Sequence, residues 1–407
     1  MHQYFSNDEI KKISQSINKQ INWTPLYFGE KISKYVGNNV YLKLENLQKT
    51  GSFKLRGALN KINCLSPEER KRGIVAASAG NHAQGVAFAA HHFKIKPTIV
   101  MPTLAPIAKI KATEEYGGNV ILYGNFFDDS LEKAKAISKE KNMTLIHAFD
   151  DLEIIKGQAT IGYEIYEDLK TIDYCLVPIG GGGIMSGISH YLKQANPKIK
   201  MIGVEAENVN SFEQALKHHH PIKIKPQFSI ADGIAVKRIS DLTYEIMEAN
   251  VDKVVTVSED EIAQAMLFLL EKCKFVTEGA GAVVAAAILF DKLNINNKKL
   301  NVVGVISGGN VDITTMGNII NSALIKQNRR VVISINSPIG NNAIIDLGHI
   351  VKTNGAIIYK IRSSLDRKNL DLNNVNIRLV IDVSDKWQKQ KIIDAIKDKG
   401  YKVVSTN

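Results

Sequence analysis

The sequence is poor in cysteine and has no long apolar run, and both absences restrict what the protein can be. Its three cysteines, Cys64, Cys175 and Cys273, are odd in number and far apart, which argues against a disulfide framework and a cysteine zinc site. The longest weakly polar run, 279–290, is too short to span a bilayer, and residues 1–20 lack the apolar core of a secretion signal. We therefore expect a cytoplasmic protein with no membrane partner.

Length and charge set further limits. At about 150 residues per domain, a chain of 407 residues contains two to three domains. Lysine and arginine outnumber the acidic residues by 52 to 41, which gives a net charge of +11. A basic balance is typical of nucleic-acid-binding proteins, but here lysines and acids are mixed along nearly every segment. We therefore predict no nucleic-acid partner.

The order of short apolar runs predicts the fold class of the first 327 residues. Runs of strand length alternate with amphipathic helical patterns such as 107–116, 130–141 and 259–272. This alternation is typical of α/β domains in which helices cover both faces of parallel sheets. The predicted strands are 40–44, 73–77, 98–101, 119–123, 144–148, 174–178, 200–205, 253–257 and 300–306.

The pattern changes after residue 327, and we place a second domain at 328–407. Its segments predict the βαββαβ order of a ferredoxin-like domain. The predicted strands are 330–336, 356–363, 375–383 and 401–405, and the predicted helices are 342–354 and 385–399.

Three loops that follow predicted strands are rich in glycine and small polar residues. They occupy residues 78–82, 180–183 and 307–310. In parallel sheets the loops at the carboxyl ends of strands share one edge, and ligands bind there. We expect the three loops to surround a single ligand.

The second of these loops is a run of four glycines, Gly180, Gly181, Gly182 and Gly183. Backbone N–H groups without side chains can surround a phosphate, and the dipole of the next helix favours the negative charge. Neither the P-loop nor the G-x-G-x-x-G spacing is present. A tight turn needed only for packing is one alternative. A nicotinamide-dependent oxidoreductase, with Glu205 beyond the loop, is another.

A phosphate site without a nucleotide motif indicates a smaller phosphorylated cofactor, and pyridoxal 5'-phosphate, which binds through a lysine amine, fits that description. Lys54 opens a predicted helix that Ser52 can cap. The helix dipole and the cations Lys49 and Arg56 disfavour an ammonium there, which favours the neutral nucleophilic amine. Phe53 can lie against the flat cofactor ring. The alternative is a solvated lysine without a function.

Five segments, in this order, resemble motifs of the threonine dehydratases (threonine ammonia-lyases), which are pyridoxal-phosphate enzymes of fold type II. Together they extend over roughly residues 20–320. The segments are ENLQKTGSFKLRGA at 45–58, AASAGNHAQG at 76–85, VPIGGGG at 177–183, ADGIAVK at 231–237 and ISGGN at 306–310.

The resemblance implies two open parallel-sheet α/β subdomains, the smaller of which, at about 50–150, is inserted in the larger. It also implies that Lys54 is the catalytic base, that the glycines hold the phosphate and that Ser307 faces the pyridine nitrogen. Glu278 and the backbone of Gly233 are expected to make outer contacts. The implied cofactor-binding residues are Lys54, Phe53, Asn81, Gly180, Gly181, Gly182, Gly183 and Ser307, and the implied substrate-binding residues are Ser78, Gly80, Asn81 and His82.

The implied reaction removes water and then ammonia from L-threonine to give 2-oxobutanoate, with L-serine as a second substrate. Because Ser307 carries a hydroxyl and no charge, the pyridine nitrogen is expected to stay unprotonated, which favours β-elimination over transamination. Ala79 stands where serine racemases have a serine that transfers protons, so racemisation is not expected. A serine-preferring dehydratase and a non-catalytic amino-acid sensor are the alternatives.

Residues 330–407 resemble an ACT domain, an amino-acid-sensing module. This resemblance implies an effector, with isoleucine as the candidate, and pairing of subunits into a homodimer or homotetramer. The loop at 336–341 departs from the Asp-x-Pro-Gly pattern of many such modules, so a purely structural domain is the alternative. Related enzymes hold a cation, but Ser211 stands where an aspartate ligand is expected beside Glu205. We predict no metal site there or at the exposed run 218–220.

Overall fold

The computed structural model of the protein describes residues 4–225, 227–364 and 373–406. The chain divides into two compact units, residues 1–312 and 313–407. The sequence pattern places the boundary after residue 327, whereas the helix Ile313–Lys326 lies in the second unit. None of the helices in the described ranges is long and apolar enough to cross a membrane.

Helices and strands alternate along the first unit, as the sequence pattern predicts. Its helices are α1 (Asn7–Ile17), α2 (Glu30–Val36), α3 (Lys54–Asn63), α4 (Pro67–Arg72), α5 (Asn81–His92), α6 (Ile107–Glu115), α7 (Phe127–Lys141), α8 (Leu152–Asp168), α9 (Gly183–Ala195), α10 (Ser211–His218), α11 (Asp241–Asn250), α12 (Glu259–Phe268) and α13 (Gly279–Leu289). Its strands are β1 (Leu26–Phe28), β2 (Asn39–Leu44), β3 (Ile74–Ala77), β4 (Thr98–Met101), β5 (Asn119–Leu122), β6 (Thr144–Leu145), β7 (Tyr174–Pro178), β8 (Lys200–Ala206), β9 (Lys253–Val257) and β10 (Asn301–Ile306).

Two sheets organise this unit. The larger has six strands in the order β1-β2-β10-β7-β8-β9, and every neighbouring pair is parallel except β1 with β2. The smaller has four parallel strands in the order β5-β4-β3-β6, all within residues 74–145. Strands such as β3 and β7 are buried on both faces, which explains why their sequences are continuously apolar. The predicted α/β class with two parallel sheets is confirmed.

The N-terminus of α3, where Lys54 lies, is fixed by close contact with two other helices. A Cβ added to Gly157 of α8 would lie 2.5 Å from the Cα atom of Gly57, so the two helix backbones touch at this pair of glycines. A Cβ added to Gly85 of α5 would lie 3.1 Å from the backbone nitrogen of Leu55. Both contacts restrict how far α3 can shift.

The second unit contains α14 (Ile313–Lys326), β11 (Arg330–Pro338), α15 (Ala343–Thr353), β12 (Ile357–Ser364), β13 (Asn374–Asp382), α16 (Lys386–Asp398) and β14 (Lys402–Thr406). The four strands form an antiparallel sheet in the order β12-β13-β11-β14. Apolar residues of β11, β13, α15 and α16 form one buried cluster. The predicted βαββαβ order is therefore confirmed within the described residues.

Candidate active site

The three predicted loops meet at a cleft of about 680 Å³ in the first unit. The outer contacts expected at Glu278 and Gly233 also line this cleft. The sequence-predicted residues among its lining are Phe53, Lys54, Ser78, Gly80, Asn81, His82, Gly180, Gly181, Gly182, Gly183 and Ser307. The fold thus brings every predicted site residue into one place.

Lys54 lies in the first turn of α3 and extends into the cleft. Its Nζ donates a hydrogen bond to the carbonyl oxygen of Ala148 at 2.9 Å and lies 5.0 Å from the ring centre of Phe53. Burial lowers the pKa of Lys54 to about 8, although the carboxylate of Glu278 acts in the opposite direction. The neutral amine is therefore much more populated near neutral pH than in a solvated lysine, and this is the form that attacks a carbonyl or accepts a proton.

Two local predictions around Lys54 are wrong. Ser52 does not cap α3, because Phe53 is the N-cap residue and the buried Ser52 hydroxyl has no hydrogen-bond partner among the described residues. Arg56 does not leave an uncompensated positive charge near the amine, because its guanidinium is fully buried and paired with two carboxylates. The lowered pKa of Lys54 has burial as its main cause.

The four glycines join β7 to α9, and their backbone forms a wall of the cleft. Gly182 has a φ of +91°, which favours glycine, and a Cβ added to Gly181 would lie 2.2 Å from the ring of Phe149. Side chains are excluded at these positions. Because α9 begins at Gly183, the unpaired N–H groups and the positive end of the helix dipole favour an anion here.

The loop at 78–82 leads from β3 into α5 and forms a second place for an anion. Helix α5 begins at Asn81, and its N-cap residue, Gly80, has no side chain to satisfy the first backbone N–H groups. A Cβ added to Gly80 would meet open space, so the cleft reaches the backbone. The Ser78 hydroxyl oxygen accepts a hydrogen bond from the Gly80 N–H at 3.1 Å and holds the loop in shape.

His82 contributes less to this loop than its place in the motif implies. Its Nε2 donates to the carbonyl oxygen of Ile146 at 2.9 Å, and the ring is buried. Burial, reinforced by the charge of Lys54, lowers the pKa of His82 to about 3, so the imidazole is neutral. The side chain is therefore engaged in the core, and the backbone N–H is what His82 offers to a carboxylate.

The Asn81 side chain is oriented by two partners. Its Nδ2 donates to Oε1 of Glu278 at 2.7 Å, and its Oδ1 accepts from Nδ2 of Asn310 at 2.8 Å. The Nδ2 of Asn310 also donates to the carbonyl oxygen of Thr50, which can only accept, so this nitrogen is a donor and the Asn81 oxygen faces it. The second N–H of Asn81 is then left for a ligand. Burial raises the pKa of Glu278 to about 7, helped by Asp232 and opposed by the Asn81 hydrogen bond. The sequence reasoning missed Asn310, although it closes the ISGGN motif.

Ser307 follows β10 and is buried at the cleft wall. Its hydroxyl makes a long hydrogen bond, 3.4 Å, to the carbonyl oxygen of Ala280. A hydroxyl can donate or accept but carries no charge, so it can meet a ring nitrogen without protonating it.

Glu205 is engaged elsewhere and does not line the cleft. Its buried carboxylate, at the end of β8, accepts the backbone N–H groups of Phe212 and Glu213 at 2.8 Å each and so caps α10. Burial raises the pKa of Glu205 to about 8. The carboxylate is therefore unavailable to a nucleotide ribose. Across the part of the chain that the structure describes, no cluster of His, Cys, Asp and Glu is placed to hold a metal ion.

Comparison with known proteins decides the family. The family model of pyridoxal-phosphate-dependent enzymes matches residues 17–308. The chain belongs to this family. Membership makes pyridoxal phosphate the cofactor and removes the nicotinamide alternative.

Relatives within the family are similar over most of the chain. An L-threonine ammonia-lyase of Thermotoga maritima is 44% identical over 396 residues, which cover 97% of this chain and 98% of the relative. A catabolic L-threonine dehydratase of Staphylococcus aureus is 46% identical over 323 residues, 78% of this chain and 92% of the relative.

Solved structures of two other relatives resemble the fold. The processed form of threonine deaminase isoform 2 from Solanum lycopersicum is 36% identical, with a TM-score of 0.72 over 78% of this chain and 94% of that one. Serine racemase from Dictyostelium discoideum is 35% identical, with a TM-score of 0.71 over 76% of this chain and 100% of that one.

The residues of this chain fit the cofactor of the family. The glycine wall, whose backbone faces the cleft because no side chain fits there, suits its phosphate, and Lys54 would supply the amine that holds it. Asn81 and Ser307 place an amide and a hydroxyl at the cleft, where they would be available to polar atoms of the ring. When bound, pyridoxal phosphate withdraws electrons from the α-carbon of an amino acid and so acidifies its proton.

Proposed function

We propose that this pyridoxal-phosphate enzyme is a threonine ammonia-lyase, which converts L-threonine to 2-oxobutanoate and ammonia and also acts on L-serine. The observation that carries the proposal is a cleft with two anion sites, at the N-termini of α9 and α5, that also contains Lys54. The site at the N-terminus of α9 suits the phosphate of the cofactor, and the site at the N-terminus of α5 suits the carboxylate of an amino acid. The activities named for relatives at 44% and 46% identity support threonine as the substrate.

Different residues of the cleft have different roles in the proposed reaction. The backbone N–H groups of α5 hold the carboxylate, and the amine of Lys54 takes the α-proton. Ala79, which also lines the cleft, carries only a methyl group and cannot return a proton to the other face of the α-carbon. The uncharged hydroxyl of Ser307 limits how long negative charge persists on the α-carbon. Elimination of the β-hydroxyl is therefore favoured over racemisation and transamination.

The first prediction concerns the products. The purified enzyme is expected to release 2-oxobutanoate and ammonia in equal amounts from L-threonine, pyruvate and ammonia from L-serine, and no D-serine. The oxo acids are measured as hydrazones, ammonia is measured enzymatically, and D-serine is measured by chiral chromatography. A protein that carries cofactor but releases no oxo acid from either substrate would be a sensor. A higher kcat/KM for L-serine would make it a serine-preferring dehydratase.

The second unit is, in this proposal, an ACT-like regulatory domain that binds isoleucine. Its βαββαβ order supports this assignment, and the similarity to the Thermotoga protein extends over nearly the whole of both chains. The loop from β11 to α15 contains Gly340 at a φ of +91°, and the N-cap residue Asn342 makes no side-chain capping bond. Backbone N–H groups at that helix end can hold the carboxylate of an amino acid.

The second prediction tests that role. Removal of residues 313–407 is expected to abolish inhibition by isoleucine and to leave part of the catalytic rate, because the residues that line the catalytic cleft belong to the first unit. Oxo-acid release is titrated with isoleucine in the full chain and in the truncated one, with L-alanine as the control effector. Inhibition that persists after truncation would place the effector site in the first unit, and a full chain insensitive to isoleucine would indicate a purely structural domain.

Assembly and location complete the proposal. We place the enzyme in the cytoplasm as a homodimer or homotetramer. Cys64, Cys175 and Cys273 are all free, as a reducing compartment requires. Tyr27 of β1 and Tyr35 of α2 are among the exposed aromatic side chains, of the kind that subunit interfaces bury.

A further inference from the structure

His147 is a cleft residue to which the mechanism above gives no part. Its half-buried ring lines the cleft just after β6. Its Nδ1 accepts two backbone hydrogen bonds, from the N–H of Phe149 at 3.3 Å and from that of Asp150 at 2.9 Å. Because the lone pair of Nδ1 faces these donors, the proton of the neutral ring is assigned to Nε2.

The surroundings keep this ring neutral. Burial lowers the pKa of His147. Asp150 opposes this, the positive charges of Lys54 and Lys135 lower the pKa further, and Asp151 raises it by the smallest amount, so that the pKa lies below its usual value. No described residue accepts a hydrogen bond from Nε2. The cleft therefore contains a donor with a fixed tautomer and no protein partner.

The contacts of its neighbours locate this donor within the cleft. The preceding residue, Ile146, binds the side chain of His82 from the carboxylate loop, and the following residue, Ala148, binds the amine of Lys54. Phe149, two residues after His147, packs against Gly181 and Gly183 of the four-glycine loop. His147 is therefore next to the carboxylate loop and the base, at the end of the cleft where the amino acid reacts, and the phosphate wall lies two residues further along.

We propose that His147 donates a hydrogen bond from Nε2 to the β-hydroxyl oxygen of the substrate and stabilises that oxygen as its bond to the β-carbon breaks. The inference rests on the proposed dehydration. The α-proton goes to Lys54, the Cβ–O electron pair leaves with the oxygen, and Lys54 then releases its proton to that oxygen, so that one water forms and the amine is neutral again. His147 keeps its own proton, since a neutral imidazole is too weak an acid to release it, and its contribution is electrostatic.

Two substitutions separate the two ring nitrogens. His147→Asn retains an acceptor near the position of Nδ1, which preserves the turn at Phe149, but it has no donor at the position of Nε2. His147→Gln places an amide N–H near the position of Nε2 and loses the Nδ1 acceptor. The exposed His91 of α5, changed to Asn, is the matched control.

The third prediction compares two leaving groups. Loss of one donor to a developing oxyanion costs about 100-fold or more in rate, so His147→Asn is expected to lower kcat/KM for L-threonine by about that factor. Elimination of chloride from β-chloro-L-alanine, which requires no such donor, is expected to change by less than about threefold. With L-threonine, the kcat/KM of His147→Gln is expected to be at least about tenfold higher than that of His147→Asn. The dissociation constant of the cofactor, followed by its absorbance, and the thermal unfolding midpoint are expected to match the His91→Asn control.

Other outcomes overturn the inference. Equal losses on both substrates, or a weaker hold on the cofactor, would make His147 a structural residue of the turn. Unchanged turnover of L-threonine in His147→Asn would show that Nε2 makes no contact with the leaving oxygen. If the Asn variant does not fold, His147→Gln decides instead, because it keeps the donor: equal losses of L-threonine turnover and of chloride elimination in that variant would contradict the inference. Failure of the proposed function is distinct, because the unmodified enzyme would then release no oxo acid from L-threonine.

Discussion

Replacement of Lys54 by alanine is expected to abolish turnover and the visible absorbance of bound cofactor together. We expect kcat for L-threonine to fall by about 10⁴-fold or more, because the same amine holds the cofactor and moves the α-proton. Four other lysines line the cleft. Lys109 pairs with Asp232, Lys223 and Lys237 both pair with Asp128, and Lys135 is exposed. The structure distinguishes Lys54 by its burial and its lowered pKa.

Reduction of the holoenzyme with borohydride, followed by peptide mass mapping, measures this directly. The unmodified enzyme is expected to carry the cofactor on the peptide that contains Lys54, and Lys54→Ala is expected to carry none. Lys49→Ala is the matched control, because Lys49 is exposed and its Nζ donates to the carbonyl of Lys19, outside the cleft. An adduct on Lys109 or Lys237, or turnover retained in Lys54→Ala, would contradict the assignment.

Local patterns account for the parts of the fold that the sequence predicts well. The predicted strands 98–101, 174–178 and 253–257 coincide with β4, β7 and β9, since each is a short apolar run between breaks. The strand predicted at 144–148 ends at Leu145. The N–H of Ile146 still bonds to Val75, and beyond it the His147 ring accepts the N–H groups of Phe149 and Asp150 where the chain turns. Strand β1 escapes prediction because it is three residues long, too short for an apolar alternation to be read.

The sequence predicts which residues line the site better than it predicts the direction in which their side chains point. The glycine loop and the residues at 78–82 are recognisable because the requirement for free backbone N–H groups is local. Whether His82 faces the substrate or the core depends on a carbonyl 64 positions away. The orientation of Asn81 depends likewise on Glu278 and Asn310, both about 200 positions along the chain.

A cluster of buried charges beside α3 gives no signal in the sequence at all. Lys43, Glu45, Arg56 and Glu164 are residue types that are normally solvated, and sequence reasoning treats them so. In the structure the side chains are fully buried. Lys43 of β2 and Arg56 of α3 both pair with Glu164 of α8, which lies 121 and 108 positions further along the chain. No local sequence pattern reveals pairs at such a separation.

Arg56→Met is expected to destabilise the first unit by about 3 to 5 kcal/mol, because it leaves two buried carboxylates without their shared partner. The Arg56 Nε and Nη2 donate to the two oxygens of Glu45 at 2.8 Å each, and Nη1 donates to Glu164 at 2.6 Å. Burial alone would raise the pKa of Glu45, but the Arg56 guanidinium outweighs it and holds the pKa below its usual range. In the variant, Lys43 remains 2.6 Å from Glu164, while Glu45 must take up a proton or draw in water.

Urea unfolding followed by tryptophan fluorescence measures this loss. The chain has two tryptophans, and Trp387→Phe, a change at an exposed residue of the second unit, leaves Trp23, 5.7 Å from the Lys43 amine, to report on the first unit. In that background Arg72→Met, at an exposed arginine bonded to the carbonyl of Asn142, is expected to cost less than about 0.5 kcal/mol.

Arg56→Lys decides how the cluster acts. Lysine keeps the positive charge but lacks the planar fork that reaches both carboxylates, so an intermediate loss is expected. If Arg56→Lys equals the parent, charge alone stabilises the cluster and the geometry of the hydrogen bonds contributes little. If Arg56→Met unfolds at the same urea concentration as Arg72→Met, the buried charges do not stabilise the fold. The position of α3, and of Lys54 at its start, would then depend on the glycine contacts with α5 and α8 instead.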